Sequence, residues 1–477
     1  RAAGLDAGDL GTPARLALRE AGHRVYSVNA YPVAATYYGD ALALWPDDDR
    51  DRPQLLYRYA DSLYVANDER ALAALEEARE ALLAAGDRES AADAELSVSR
   101  IWWHRGQKDE VLAHEARAAE LAGSGPSPAT ARVIATVART RTIGGDLFGG
   151  LRLAREALAM ADALELDELR THALTTIGSA KTELGDVTGS HELELALERA
   201  LAAHSPQAGT VANNLAVAAF QAGDFRRESE LFAEGLQIAE KFGDGAGVRF
   251  IRGNLAFMAY ILGEWDDAIR ASDEFIAECE ASPHLLERSA RYGRGLIRLA
   301  RGDSAGALAD LRHSLAVARE QNDPQGIFPS IAGLMFAFEA LRRTPEARDL
   351  CDELMERYKD YPGNAALGLS WFLLWARSSD GIENELREFV EEAPAGRWKD
   401  IALACLARDF SRAADLWLDS GSPTWEAYLR ERAAEELIET GRRAEGEAEL
   451  QKALAFYRTV GATFYIERGE QLLAKTA

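Results

Sequence analysis

Val211-Ala212-Asn213-Asn214-Leu215-Ala216-Val217-Ala218-Ala219-Phe220, closed by the turn Gly223-Asp224-Phe225, is the stretch on which the fold turns. Small and apolar residues recur in it at the spacing of a helix face. Glycine then ends the helix, because the chain leaves through a left-handed conformation that penalises any side chain. The same turn returns at Gly106-Gln107, Gly145-Asp146, Gly185-Asp186, Gly263-Glu264-Trp265 and Gly302-Asp303, so that successive glycines are 39, 40, 38, 40 and 39 residues apart. A second helical pattern follows each turn, as in Ala268-Ile269-Arg270-Ala271-Ser272-Asp273-Glu274-Phe275-Ile276. Each unit therefore reads as helix A, a tight turn, then helix B.

Outward from this core the register continues through weaker turns at Asn29, Asn67-Asp68, Thr344-Pro345, Ser379-Asp380, Asp409-Phe410 and Gly441. Asparagine is the side chain that best tolerates the left-handed region, so the first two obey the same rule. Ser127-Pro128, Ser282-Pro283 and Ser422-Pro423 place a capping hydroxyl before a proline at the first helical position and predict the starts of A helices. The expectation is an all-α superhelical solenoid of about twelve antiparallel helix pairs with a repeat of ~40 residues. It divides into a regular array over 1–344 and a degenerate continuation over 345–477. One pair cannot bury its own apolar stripe, so neighbours stack, and the inner face is lined mainly by A helices.

The bulk numbers agree with a folded chain. Of 477 residues, 47% are hydrophobic and 28% charged, with only 14 prolines to interrupt helices. A formal charge of −24 argues against a general grip on nucleic-acid phosphate. Cys279, Cys351 and Cys405 are odd in number and far apart, which suggests neither a disulfide framework nor a zinc site and fits a reducing cytoplasm. No apolar run is long enough to cross a bilayer, and no signal pattern opens the chain. Arg1 already lies in a helix-rich segment, so the expectation is the C-terminal piece of a longer polypeptide.

Asn214-Leu215-Ala216 to Phe225 and Asn254-Leu255-Ala256 to Trp265-Asp266-Asp267-Ala268 resemble tetratricopeptide repeats in their longer variant. The opening, through Leu18-Arg19-Glu20-Ala21-Gly22 to Tyr37-Tyr38-Gly39-Asp40-Ala41-Leu42-Ala43-Leu44-Trp45-Pro46, resembles the segment after the ATPase module of large bacterial signalling ATPases. The ending, Ala455-Phe456-Tyr457-Arg458-Thr459-Val460-Gly461-Ala462-Thr463 to Arg468-Gly469-Glu470, is similar to the C-terminal ends of such proteins. They also carry a class III nucleotide-cyclase or helix-turn-helix domain. The resemblance implies a sensor or regulatory array with an in-chain ATPase or output domain upstream.

Catalytic patterns are missing. No Gly-Lys pair exists to end a phosphate-binding loop. His114-Glu115 and His191-Glu192 lack the second histidine of a zinc hydrolase, and no Gly-x-Ser-x-Gly elbow occurs. No metal or other cofactor is called for, and an enzyme is not expected. The aromatic residues Trp371, Phe372, Trp375, Trp398, Trp417 and Trp425 read as core packing, with a partner patch as the alternative.

One constellation points to binding. Arg288, Arg291, Arg294 and Arg298 follow spacings of 3, 3 and 4 along one A-helix stripe. Arg249 and Arg252 precede Gly263 by 14 and 11 residues, as Arg288 and Arg291 precede Gly302, and equivalent positions stack in a solenoid. Asn214 and Asn254 each fall nine residues before their turn glycine, the position from which peptide-binding tetratricopeptide domains, by resemblance, hold a ligand backbone. Asn213, Asn214, Arg249, Arg252, Asn254, Arg288, Arg291 and Arg294 are thus the candidate site, suited to a protein, a peptide or an anionic small effector in the concave face. Two other readings remain: the arginines form a salt-bridged face, or the array is a structural or oligomerisation arm without a ligand. Neither nucleic acid nor membrane is an expected partner.

Overall fold

The computed structural model describes residues 7–358, 387, 390–393 and 395–476. Among them it contains 23 α-helices. In chain order they form consecutive antiparallel pairs: α1 (Ala7–Tyr26) with α2 (Tyr31–Ala43), α3 (Arg52–Val65) with α4 (Ala71–Ala84), α5 (Arg88–His104) with α6 (Lys108–Ala122), and α7 (Pro128–Ile143) with α8 (Leu147–Ala163). Next come α9 (Asp167–Glu183) with α10 (Gly189–Ala202), α11 (Gln207–Ala222) with α12 (Phe225–Lys241), α13 (Gly245–Ile261) with α14 (Trp265–Ala281), and α15 (Glu287–Ala300) with α16 (Ser304–Gln321). The array closes with α17 (Pro324–Ala340) and α18 (Thr344–Tyr358), α19 (Arg397–Leu406) and α20 (Phe410–Asp419), α21 (Pro423–Glu439) and α22 (Arg443–Val460), and a last helix α23 (Thr463–Thr476).

The repeated turn does two jobs. Its glycine takes the left-handed conformation, as at Gly223 with φ 76° and Gly263 with φ 83°. The acid after it caps helix B: Asp146, Asp224 and Asp303 each accept the backbone amide three residues on, at 2.9–3.0 Å. Glu264 occupies the same place without a side-chain cap bond. We expect Asp224→Ala to lower stability by about 1 kcal/mol in urea unfolding and Glu264→Ala to change it by less than about 0.5 kcal/mol. Equal losses at the two positions would remove the cap from the account.

Asn29 and Asn67 are left-handed as expected, with φ 63° and 58°. Two boundaries differ. The left-handed residue of the Thr344-Pro345 turn is Arg342, and Thr344 already begins α18. Ser282-Pro283 does not start a helix, since α15 begins at Glu287. The Ser282 hydroxyl accepts from Arg249 at 3.0 Å, and the Leu285 amide donates to the His104 carbonyl at 2.7 Å, which holds this segment extended against another part of the array. Ser127 and Ser422 do cap, accepting from the amides of Thr130 and Trp425. Trp371, Phe372, Trp375 and the Ser379-Asp380 turn lie outside the described residues. Trp398, Trp417 and Trp425 are all buried in the core.

That last contact belongs to a set that gives the solenoid its shape. The superhelix winds tightly enough for one turn to rest on the next. Asn29 Nδ2 donates to the His204 carbonyl, 175 residues away. Trp398 Nε1 donates to the Phe220 carbonyl across 178 residues, the Phe225 amide donates to the Ser420 carbonyl, and Arg301 donates to the Val460 carbonyl. Trp265 sits at the middle of this seam. Its indole is 2% exposed, stacks on Tyr260, meets Phe456 edge-on and donates to Thr424 Oγ1 at 3.1 Å. A side chain at Gly243, where φ is 66°, would come within 2.5 Å of the Asn29 carbonyl. The turn glycine is thus kept bare by the neighbouring superhelical turn as well as by its own backbone.

Candidate functional site

The curve of the superhelix forms an open-ended channel. Its cavity is about 590 Å³, and its wall is built mainly from the inner faces of the odd-numbered helices α5 to α17. The lumen stripe is regular. Arg100, Arg139, Ser179, Val217 and Phe257 each stand six residues before the turn glycine of their own unit. Asn213 stands ten before Gly223 and Asn254 nine before Gly263. The ring is shut where the Leu285 amide meets the His104 carbonyl and where Trp103 stacks on Phe250 with centroids 5.6 Å apart.

Three chemistries share the wall. On α5 and α7 stand Arg100 and Arg139, the latter with its guanidinium 4.1 Å from the Trp103 ring centroid. Beside them burial and the nearby arginines push the His104 and His172 imidazoles down to about 3, so both rings are neutral near pH 7. On α11 and α13, Asn254 Nδ2 donates to Asn213 Oδ1 at 3.0 Å and Asn214 Nδ2 donates to the Thr210 carbonyl at 2.9 Å. Further along, Gln221 bonds to Glu183, and burial raises the Glu228 carboxyl well above the usual carboxylate range.

Of the eight candidate residues, Asn213, Asn214, Asn254 and Arg288 line this cavity. Arg288 is held at its rim by the Leu285 carbonyl, Gln321 Oε1 and, at 2.7 Å, Asp323. The other four point elsewhere. Arg249 is buried and donates to the Ser282 carbonyl and hydroxyl. Arg252 reaches Glu278 at 3.1 Å on the half-exposed outer side. Arg291 and Arg294 meet Asp310 of α16 at 3.3 and 2.6 Å, and Arg298 joins the same carboxylate at 2.8 Å. Arg294 also binds Asp273 of α14 at 2.5 Å. Positions 11 and 8 before the turn therefore face the B helices, while position 14 turns away at Arg249 and reaches the cavity at Arg288. One residue of register rotates a side chain by about 100° around a helix, enough to move it out of the lumen stripe.

No family model matches the sequence, and no curated protein matches it. Among solved structures, a Rap protein complexed with Competence and Sporulation Factor has a TM-score of 0.52 at 15% identity, covering 73% of this chain and 98% of that one. The chain has a tetratricopeptide-like helical-repeat fold. A signal transduction ATPase with a tetratricopeptide repeat sensor, from Pyrococcus horikoshii, is also similar, with a TM-score of 0.38 at 12% identity over 70% of this chain and 53% of its own.

In this tetratricopeptide-like array, Arg100, Arg139 and His172 are lumen residues that the sequence reading passed over. The signal existed, because Arg100 and Arg139 precede Gly106 and Gly145 by the same six residues. Among the described residues no group of three or more His, Cys, Asp or Glu side chains is placed to hold a metal, and no helix is long and apolar enough to cross a membrane. The wall presents side-chain amides, guanidiniums and, between them, aromatic faces.

Proposed function

We propose that the chain is a non-catalytic binding scaffold whose channel takes an extended polar ligand, a peptide or a small effector. Occupancy would pass along the stacked pairs to an ATPase or output domain of the same polypeptide. The observation that carries this reading is the cavity of about 590 Å³ whose wall presents Asn213, Asn214 and Asn254. Each amide side chain carries an NH2 donor group and an acceptor oxygen, which is what an extended peptide backbone needs for orientation without a fixed sequence. The comparable Rap protein is itself held in complex with a factor, and its fold accommodates one. A ligand can shift such an array only by binding two of its forms unequally.

The test is affinity selection of pooled pentapeptides by the purified chain, followed by calorimetry on those retained. Asn213→Ala with Asn254→Ala removes both ends of one hydrogen bond, a change that is close to neutral for the fold. Affinity should fall at least tenfold in the double variant while its melting temperature stays within a few degrees. If wild type retains no peptide, the channel is structural and the array acts as an arm within its own polypeptide.

A further inference from the structure

Resting on that channel reading, we propose that the ligand carries a free carboxylate and that Arg100 and Arg139 receive it. The two guanidiniums occupy the same register on successive A helices and both face the cavity. Two other buried arginines are each shared among carboxylates: Arg430 among Asp415, Glu426 and Glu449, and Arg294 between Asp310 and Asp273. Arg100 and Arg139 form no ion pair among the described residues, in a chain with a formal charge of −24.

The acids nearest to them, Asp61, Asp93 and Glu115, act on them through space but make their hydrogen bonds to other groups. Asp93 is held by both ends of the Arg132 fork at 2.6 and 2.7 Å. Asp61 accepts from the Tyr26 hydroxyl at 2.5 Å, and Glu115 from Thr140 Oγ1 at 2.5 Å. The polar groups left beside the arginines are neutral: His104, His172 and the Tyr64 hydroxyl next to Arg100. Arg139 is pushed down to about 10 by burial and by its like-charged neighbour, and it remains charged at pH 7. An anion between the two forks would relieve that repulsion. A planar carboxylate can take paired N–H donors from each. The stack on Trp103 fixes the plane of one fork before the ligand arrives.

The decisive comparison uses three probe pools of pentapeptides: free C-terminal acids, the corresponding amides, and amides carrying one phosphoserine. Each is offered to wild type and to Arg139→Met, which keeps an apolar stem on Trp103 and removes the charge. Wild type should hold acids at least tenfold more tightly than amides, and Arg139→Met should lose that preference. The unliganded variant should melt at the same temperature as wild type or higher, because a buried cation with no direct ion pair has been removed. Equal retention of acids and amides overturns this inference and leaves the channel reading standing. Preference for phosphorylated amides over acids overturns the carboxylate. A lower melting temperature of the free variant assigns Arg139 a structural role and overturns the inference too. Retention of no pool by wild type sinks both readings.

Discussion

Asp310→Ala should lower stability by about 3–5 kcal/mol, the loss expected when a buried ionic cluster is broken from one side. Asp310 is 2% exposed and takes hydrogen bonds from Arg291, Arg294 and Arg298 together. Without it, Arg294 keeps Asp273 and Arg291 keeps Glu287, but Arg298 is left with Asp303 at 4.0 Å, and three cations crowd one face of α15. Hydrogen exchange should speed up first in α15 and α16 and only then elsewhere. Adding Arg294→Met to Asp310→Ala should restore part of the loss, since one stranded charge goes with it. A loss below about 1 kcal/mol would mean that water screens these arginines and the cluster contributes as little as a surface pair.

Trp265→Ala is expected to cost about 3–5 kcal/mol, the usual range for truncating a fully buried aromatic, and its effect should be geometric as well. The indole is wedged between consecutive turns of the superhelix, on Tyr260 from its own turn and against Phe456 and Thr424 from the next. Small-angle scattering should record a larger radius of gyration for the variant, because the two turns separate where the wedge is lost. Trp265→Phe retains most of the wedge and should keep the wild-type dimensions. Dimensions unchanged in Trp265→Ala would show that the hydroxyl bonds from Ser422 and Thr424 to the carbonyls of Ile261 and Tyr260 hold the seam alone.

Most of the local architecture was legible in the residues. The spacing of turn glycines, the left-handed asparagines and the Ser-Pro caps at 127 and 422 each state a backbone requirement that few residue types can meet, so they read directly as helix ends. The asparagines at the equivalent position of two repeats placed Asn214 and Asn254 in the lumen for the same reason. The arginine stripe was legible as a stripe but not as a wall. Spacings of 3, 3 and 4 establish that side chains share a face, and only the position of the B helices decides which face it is. Arg342, a bulky residue in a left-handed turn, carries no such signal, which is why the boundary near 344 moved by two residues. The contacts between superhelical turns were beyond reach, because they join residues such as Trp265 and Thr424 that lie 159 positions apart and belong to no repeat of the pattern.

Those contacts change how the molecule should come apart. In an open solenoid each unit answers only to its neighbours, and terminal units fray first and alone. Here Asn29, at the first helical hairpin, is fastened to His204, and the loop at Gly243 presses on the same spot. The N-terminal hairpin cannot loosen without exposing the middle of the array, and the middle is in turn overlaid by α21 and α22. The two ends are thereby joined through the centre, so melting becomes a collective event, and removing the last pairs would be felt by repeats that never touch them.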